Sequence, residues 1–364
     1  MSVYPPGPVV PTKFWRKLDG GRVQCEVCPN RCALKDGRRG RCFVRMAEGG
    51  RVVLATYGRS SGFCVDPIEK KPLNQFLPGT AILSFGTAGC NLTCSFCQNW
   101  RISRSREMET LAEEASPETI ARAAEALRCR SVAFTYNDPV VFLEYAVDVA
   151  KECRKRNIKT VAVTAGHVSE GAREEFFAHM DAANVDLKAF TEEFYRRLCG
   201  GDLQTVLDTL IYLKRRTSVW IELTTLLVPH ENDSPEEIER LSQWVVRELG
   251  PDTPIHFTAF HPAWTLSEAR PTLPATLAES RRIALRNGLR YVYTGNISDE
   301  EGGSTYCHEC GRRLIGRDGL HLTEWNLDAK GRCGSCGTPC AGVFEDGPGT
   351  WGARCMPVSM EDYG

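Results

Sequence analysis

From residue 81 onward, short β-branched and apolar runs alternate with amphipathic stretches of helical length, the sequence form of a parallel α/β sheet. The pattern predicts strands at 81–85 (AILSF), 131–136 (SVAFTY), 160–165 (TVAVTA), 183–189 (ANVDLKA), 219–228 (VWIELTTLLV), 254–260 (PIHFTAF) and 289–294 (LRYVYT). The helices between them have recognisable starts. Ser116 before Pro117 and Glu118, Asp138 before Pro139, and Ser234 before Pro235, Glu236 and Glu237 each set a capping side chain ahead of a first-turn proline. Asn287-Gly288 closes the helix before the last strand. Polar and charged residues recur at the C-terminal ends of successive strands, which favours a partial (β/α) barrel over a doubly wound sheet.

Residues 1–80 do not follow this alternation: they hold a proline-rich start, a first cysteine group and a glycine-rich stretch ending in DPIEKKPLNQFLPG. Residues 300–364 are turn-rich and cysteine-rich, too short to bury much apolar surface alone, and predict a small metal-stapled module. The expected division is therefore 1–80, 81–299 and 300–364. Hydrophobic residues make up 42% of the 364 and charged residues 25%, enough for a sizeable core. The net charge of -1 gives no bulk attraction to nucleic acid or to an acidic membrane. The N-terminus lacks a basic-then-apolar export signal and no run reaches the roughly 18 apolar residues of a membrane span, so a cytoplasmic location is expected. In the cytosol thiols stay reduced, and 17 cysteines then read as metal ligands rather than as a disulfide framework.

Eleven of them fall into three groups. Cys90, Cys94 and Cys97, in FGTAGCNLTCSFCQNW, have the spacing CxxxCxxC. Three thiolates on one loop can hold three irons of a cubane cluster, and such a cluster ordinarily takes four cysteines, so one iron is left open. An open iron can bind the amino and carboxylate groups of S-adenosylmethionine and pass an electron into its sulfonium, releasing a 5′-deoxyadenosyl radical. The spacing, Phe96 before the last cysteine and the preceding apolar run match the signature of radical S-adenosylmethionine enzymes. Zinc would want four ligands, usually as cysteine pairs.

The later strand ends supply candidate ligand contacts. Asn137 and Asp138 in TYNDP could meet an ammonium, although Asp138 is equally a helix cap. Thr164 and the Gly166 backbone suit the ribose or methionine end of a ligand; His167 reads as a loop histidine. Asp186 and Lys188, two apart in a strand, would share one face. Inward charges need partners, which a zwitterionic ligand supplies and an internal ion pair would also supply. On the fifth strand Glu222, Thr224 and Thr225 precede a Val228-Pro229 turn that could lie against an adenine. His261 stands where the sixth strand meets its loop and could bond a ribose or move a proton, whereas His256 reads as structural.

The phrases CEVCPNRCALKDGRRGRCFV, DPIEKKPLNQFLPGT, LSFGTAGCNLTCSFCQNWRIS, AFTYNDP, NVDLKAFTEEFYRRLCG, TTLLVPHENDS, FTAFHPAW and YVYTGN together resemble the AmmeMemoRadiSam-system radical S-adenosylmethionine enzymes, relatives of the pyruvate formate-lyase activating enzyme. The resemblance runs from about residue 23 to about residue 343. It implies a 4Fe–4S cluster on Cys90, Cys94 and Cys97, a partial barrel, reductive cleavage of S-adenosylmethionine, ligand contacts at Thr164, Asp186, Lys188 and His261, a reductant such as flavodoxin or ferredoxin, and Memo-like and AMMECR-like partners. YND replaces the activating enzymes' glycine-glycine-glutamate segment, which leaves the ammonium contact between Asn137 and Asp138.

Cys25, Cys28, Cys32 and Cys42 can bind zinc or an auxiliary cluster, and zinc is preferred because closed four-cysteine sites are commonly zinc. Cys307, Cys310, Cys333 and Cys336 read as a zinc ribbon, with Cys340 and Cys355 near enough to compete and His308 exposed rather than ligating. The leading reading is an enzyme whose radical abstracts hydrogen from an unidentified substrate. The alternatives are an activase that installs a glycyl radical on a partner protein, and a non-catalytic zinc-ribbon binding protein.

Overall fold

A computed structural model describes residues 9–364; the first eight residues of the proline-rich start lie outside the described residues. Each of the seven apolar runs forms a strand. With an additional strand at either end of the described barrel region they are β1 Phe63–Pro67, β2 Ala81–Phe85, β3 Ser131–Phe134, β4 Lys159–Thr164, β5 Ala182–Asp186, β6 Trp220–Leu227, β7 Ile255–Ala259, β8 Val292–Gly295 and β9 Met356–Val358. They make one nine-stranded sheet in the order β8-β7-β6-β5-β4-β3-β2-β1-β9. β2 to β8 are mutually parallel, while β1 runs antiparallel to β2 and β9 antiparallel to β1. β2, β3 and β7 are buried at every residue, as expected of parallel strands covered on both faces.

The helices begin where the caps predicted. Ser116 Oγ accepts from Thr119 N at 3.0 Å ahead of α1 Pro117–Ala126. Asp138 Oδ1 accepts from Val140 N at 3.1 Å ahead of a 3-10 turn, Pro139–Phe142, which leads into α2 Leu143–Lys155. Ser234 Oγ accepts from Glu237 N at 3.2 Å ahead of α3 Pro235–Leu249. Each cap satisfies one of the orphan N–H groups of a first turn.

Three features differ from the sequence expectation. Strand β5 stops at Asp186, and Leu187 N turns back to Val185 O at 3.0 Å, so Lys188 lies in the following loop and not on a shared strand face. The stretch before residue 81 supplies β1, and the C-terminal tail supplies β9 against it, so the central sheet crosses both expected boundaries. The cysteine-rich ends contain short antiparallel sheets of their own: Val10–Pro11, Arg51–Leu54 and Arg45–Glu48; Trp15–Lys17, Val23–Cys25 and Ala33–Leu34; and Thr305–Tyr306, Arg313–Asp318 and His321–Trp325.

A buried polar network ties these pieces together near the start of β6. The Glu222 carboxylate is fully buried and accepts from Asn74 N (2.9 Å), Gln75 N (2.8 Å), Trp220 Nε1 (3.0 Å) and His256 Nε2 (2.7 Å). His256 stacks on Tyr293, and buried Arg317 of the C-terminal module donates to Thr305 Oγ1 at 2.9 Å and to the Asn74 carbonyl. Glu222 is therefore part of the frame rather than a ligand contact. Replacing it with leucine would strand four donors, three of them on buried residues, each buried one costing about 1–3 kcal/mol when left unpaired. Glu222→Leu should lower unfolding stability by at least about 3 kcal/mol in a urea titration; a loss below about 0.5 kcal/mol, the size of an ordinary surface substitution, would show that the network is not holding the pieces together.

Candidate active site

The cysteine loop after β2 is shaped by the end of β3. Asn137 Oδ1 accepts from Thr87 N at 3.0 Å, while its Nδ2 donates to Gly89 O at 2.7 Å and Ala88 O at 3.3 Å. Its carboxamide is spent on the loop, which leaves Asp138 as the residue of this pair with a carboxylate near the cavity. Cys90, Cys94 and Cys97 line one side of a cavity of about 380 Å3 whose other walls include Asp138, Thr164, Asp186, Lys188 and Thr224.

Electrostatics inside the cavity follow from burial. The three thiols are all held above the ordinary cysteine range: Cys90 by burial and the Asp138 charge, Cys94 by a hydrogen bond with Cys199 and by burial, and Cys97 by burial against the opposing hydrogen bond to Ser103. Without a positive partner they stay protonated, and a cation at their focus would reverse that. Burial likewise raises Asp138, whose oxygens accept from Ala165 N at 3.0 Å and from the Thr164 hydroxyl at 3.1 and 3.2 Å. Burial alone would lower Lys188, but the Asp186 carboxylate at 2.8 Å outweighs it and holds the ammonium well above the usual lysine range.

Most residues expected at the site line this cavity, but not all. His261 is exposed, its Nε2 meets the Asn296 carbonyl at 3.1 Å, and Asn296 rather than His261 reaches the wall. From β6 Thr224 and Leu226 reach the cavity; Val228 and Pro229 do not. His167 is buried with its Nε2 2.9 Å from Asp202 Oδ2.

Sequence reasoning missed a second set of wall residues. Lys70, Lys71 and Tyr136 enter the cavity, where Asp66 pairs with Lys71 at 2.6 Å and Lys70 at 2.9 Å and accepts from the Tyr136 hydroxyl at 3.2 Å. Burial would raise Asp66, but the two ammonium groups hold it well below the usual carboxylate range. The lysines sit in DPIEKKPLN before the barrel begins, so no strand periodicity marked them. Cys199, in the one-turn π-helix Tyr195–Cys199, lies fully buried beside Cys94. A lone cysteine in a polar helix gave no signal beyond its type.

Two further cysteine groups lie outside this cavity. Cys307, Cys310, Cys333 and Cys336 converge, with Cys307–Cys336 at 3.6 Å and Cys310–Cys333 at 3.7 Å between sulfurs. Among the described residues these four are the one group of three or more His, Cys, Asp or Glu side chains whose ligand atoms all lie within 4.8 Å of one another. The Thr338 hydroxyl and N–H hold the Cys336 thiol down to about 6. Cys340 and Cys355 do not compete: Cys340 Sγ meets Gln75 Nε2, and Cys355 Sγ meets Lys70 Nζ at 3.2 Å. His308 is not exposed as expected; its ring is largely covered and faces Tyr291. Cys25, Cys28, Cys32 and Cys42 surround a separate cavity beside Asn91.

The sequence profile of the Radical SAM superfamily matches residues 85–244. An uncharacterized protein of Methanocaldococcus jannaschii is 37% identical over 325 residues, 89% of this chain and 96% of its own length. The pyruvate formate-lyase-activating enzyme of Clostridium pasteurianum is 28% identical over 159 residues, 42% of this chain and 65% of that enzyme. A solved radical SAM methyltransferase from Sphaerobacter thermophilus is similar with a TM-score of 0.47 and 14% identity, covering 84% of this chain and 81% of that one. No helix among the described residues is long and apolar enough to cross a membrane. The profile match over the cysteine loop and β3 to β6 makes the chain a Radical SAM superfamily enzyme related to the pyruvate formate-lyase-activating enzyme.

Proposed function

We propose that this enzyme uses Cys90, Cys94 and Cys97 to hold a 4Fe–4S cluster and the facing wall to hold S-adenosylmethionine, whose 5′-deoxyadenosyl radical abstracts hydrogen from a substrate yet to be identified. The observation that carries it is the convergence of the three cysteines with Asp138, Asp186 and Lys188 on one cavity. The donor set fits: three sulfurs on one loop leave an iron without a protein ligand. When bound, the cluster supplies the electron that cleaves the sulfonium.

The chain's own residues hold and orient. Asn137 fixes the loop path, and the Ser103 hydroxyl, 3.0 Å from Cys97 Sγ, can donate to that sulfur once it is a thiolate. Asp138, pinned by Ala165 N and Thr164, presents negative charge toward the ligand's ammonium, and Lys188 presents positive charge toward its carboxylate. Thr224 Oγ1 is buried without a partner on the cavity wall, a group awaiting a polar ligand atom. Cys307, Cys310, Cys333 and Cys336 would hold zinc, since a Zn–S bond of about 2.3 Å implies tetrahedral edges near 3.8 Å. The finer placement in the AmmeMemoRadiSam system, with Memo-like and AMMECR-like partners and a flavodoxin- or ferredoxin-like reductant, rests on the resemblance of the motifs. A second reading, an activase acting on a partner protein, is favoured by the identity to the Clostridium enzyme.

Anaerobically reconstituted protein should release 5′-deoxyadenosine under a strong reductant, and Cys94→Ala should abolish that release; cleavage retained by this variant would overturn the assignment. Lys188→Ala should weaken S-adenosylmethionine binding at least about tenfold, the worth of one charge-assisted hydrogen bond, while the iron content stays at the wild-type level. Asn137→Ala should do the reverse, lowering iron retention because the loop loses its pins, with an unchanged far-ultraviolet circular dichroism spectrum.

A further inference from the structure

The N-terminal four cysteines resemble the radical-site triplet in layout more than they resemble the C-terminal four. The C-terminal sulfurs stand at zinc spacing, with edges of 3.6 and 3.7 Å. Among the described residues, neither the triplet nor Cys25, Cys28, Cys32 and Cys42 forms a group closed to within 4.8 Å. Both instead line cavities, of about 380 Å3 at the triplet and about 20 Å3 at the N-terminal four. The fold brings all four N-terminal cysteines to one cavity from the strand Val23–Cys25, the turn that follows it and the segment before Arg45. Four sulfurs spaced too widely for one zinc ion suit a larger metal cluster.

Hydrogen-bond donors surround the sulfurs. Backbone N–H groups reach every sulfur: Val27 to Cys25, Asn30 to Cys28, Arg41 to Cys32 at 3.5 Å, and Val44 and Arg45 to Cys42. Asn30 Nδ2 lies 3.6 Å from Cys28 Sγ as well. Hydrogen bonds to cysteine sulfur are among the levers that set the potential of an iron–sulfur cluster. The Arg45 guanidinium lies buried at the cavity and pairs with Glu144 at 2.7 Å, a fixed positive charge beside Cys25 and Cys42.

The group also abuts the radical loop. Asn91, which follows Cys90, lines the N-terminal cavity, and its carbonyl accepts from Asn30 Nδ2 at 2.7 Å. Gly89 lies so close that a Cβ there would be 1.9 Å from the Cys42 carbonyl oxygen. A structural zinc could sit anywhere on the surface; a site packed directly behind the radical loop is placed for electron exchange.

We propose that Cys25, Cys28, Cys32 and Cys42 hold a second iron–sulfur cluster through which electrons enter the radical site. It takes one electron from an external one-electron donor of the ferredoxin or flavodoxin class and passes that electron to the cluster on Cys90, Cys94 and Cys97, with no bond made or broken at the relay. The binding part stands independently of the function proposed above, and the relay part rests on it.

The test separates the two. Protein carrying Cys90→Ala, Cys94→Ala and Cys97→Ala, reconstituted anaerobically with iron and sulfide, should retain about four irons per chain and, after dithionite reduction, a paramagnetic signal of a reduced cubane. Zinc in place of iron at these four cysteines, or no metal there, would overturn the proposal, and neither result bears on the radical site because that site is absent from the variant. In the otherwise native chain, Cys28→Ser with Cys32→Ser should lower iron from about eight to about four per chain. S-adenosylmethionine should still perturb the remaining signal, and ferredoxin should reduce that cluster at least tenfold more slowly. An unchanged reduction rate would overturn the relay; should this double variant fail to fold, the triplet variant still decides the site.

Discussion

A Cβ at Gly86 would lie 2.4 Å from the Thr135 carbonyl oxygen, and one at Gly89 would lie 1.9 Å from that of Cys42. The loop that carries Cys90 is therefore clamped between the end of β3 and the N-terminal cysteine segment, with no room for a side chain at either position. Gly89 also holds φ at +71°, in the left-handed region that glycine enters without steric cost. Asn137 completes the clamp from within, because one carboxamide serves Thr87, Ala88 and Gly89 together. The placement of three sulfurs against Asp138 and Lys188 follows from these contacts, and so does the placement of the N-terminal four behind them. Cysteine spacing alone would leave the loop many paths.

The parallel sheet was legible because its strands announce themselves. AILSF is buried at every residue and is apolar but for Ser84, and Ser116, Asp138 and Ser234 do at the helix starts what their types suggest. What escaped lacks periodicity. Met356–Val358 joins the sheet through three largely exposed residues, one of them proline, and its pairing is dictated by the free edge of Phe63–Pro67 rather than by its own pattern. Lys70 and Lys71 reach the cavity from a segment whose register is set by Glu222 binding the backbone of Asn74 and Gln75, a contact 147 and 148 residues apart in sequence. A two-residue spacing suggested that Asp186 and Lys188 share a strand, yet the strand ends at Asp186 and the ion pair forms across a turn.

That ion pair has a thermodynamic role. Lys188 lies among Asp186, Cys94 and Cys199, and a buried ammonium with no counter-charge would be costly. Asp186 supplies the counter-charge at 2.8 Å. A zwitterionic ligand gains only the difference between its contacts and those it displaces. Half-exposed Asp186 can turn to solvent at small cost, whereas Lys188, whose side chain is 13% exposed, cannot. In the proposed S-adenosylmethionine site the lysine would be the fixed element of recognition and the aspartate its replaceable partner.

The two ends of the cavity are built from opposite materials. Around the start of β6 the frame is a saturated network: Glu222 holds four donors, His256 stacks on Tyr293, and Arg317 reaches from the C-terminal module to the Asn74 carbonyl. Tyr293 also belongs to the small core that contains Cys307, Cys333 and Cys340. Metal binding at the C-terminal four would order the segment that aims Arg317, and metal-site free energy is folding free energy where a segment cannot fold by burial alone. That energy would pass through Arg317 and the backbone of residues 74 and 75 to the same segment that places Lys70 and Lys71 in the cavity wall. The C-terminal module thereby bears on the cavity beyond its contact between Cys355 and Lys70: it fixes the floor on which the charged wall stands, while the cysteine loop at the other end is fixed by Asn137 and two glycines.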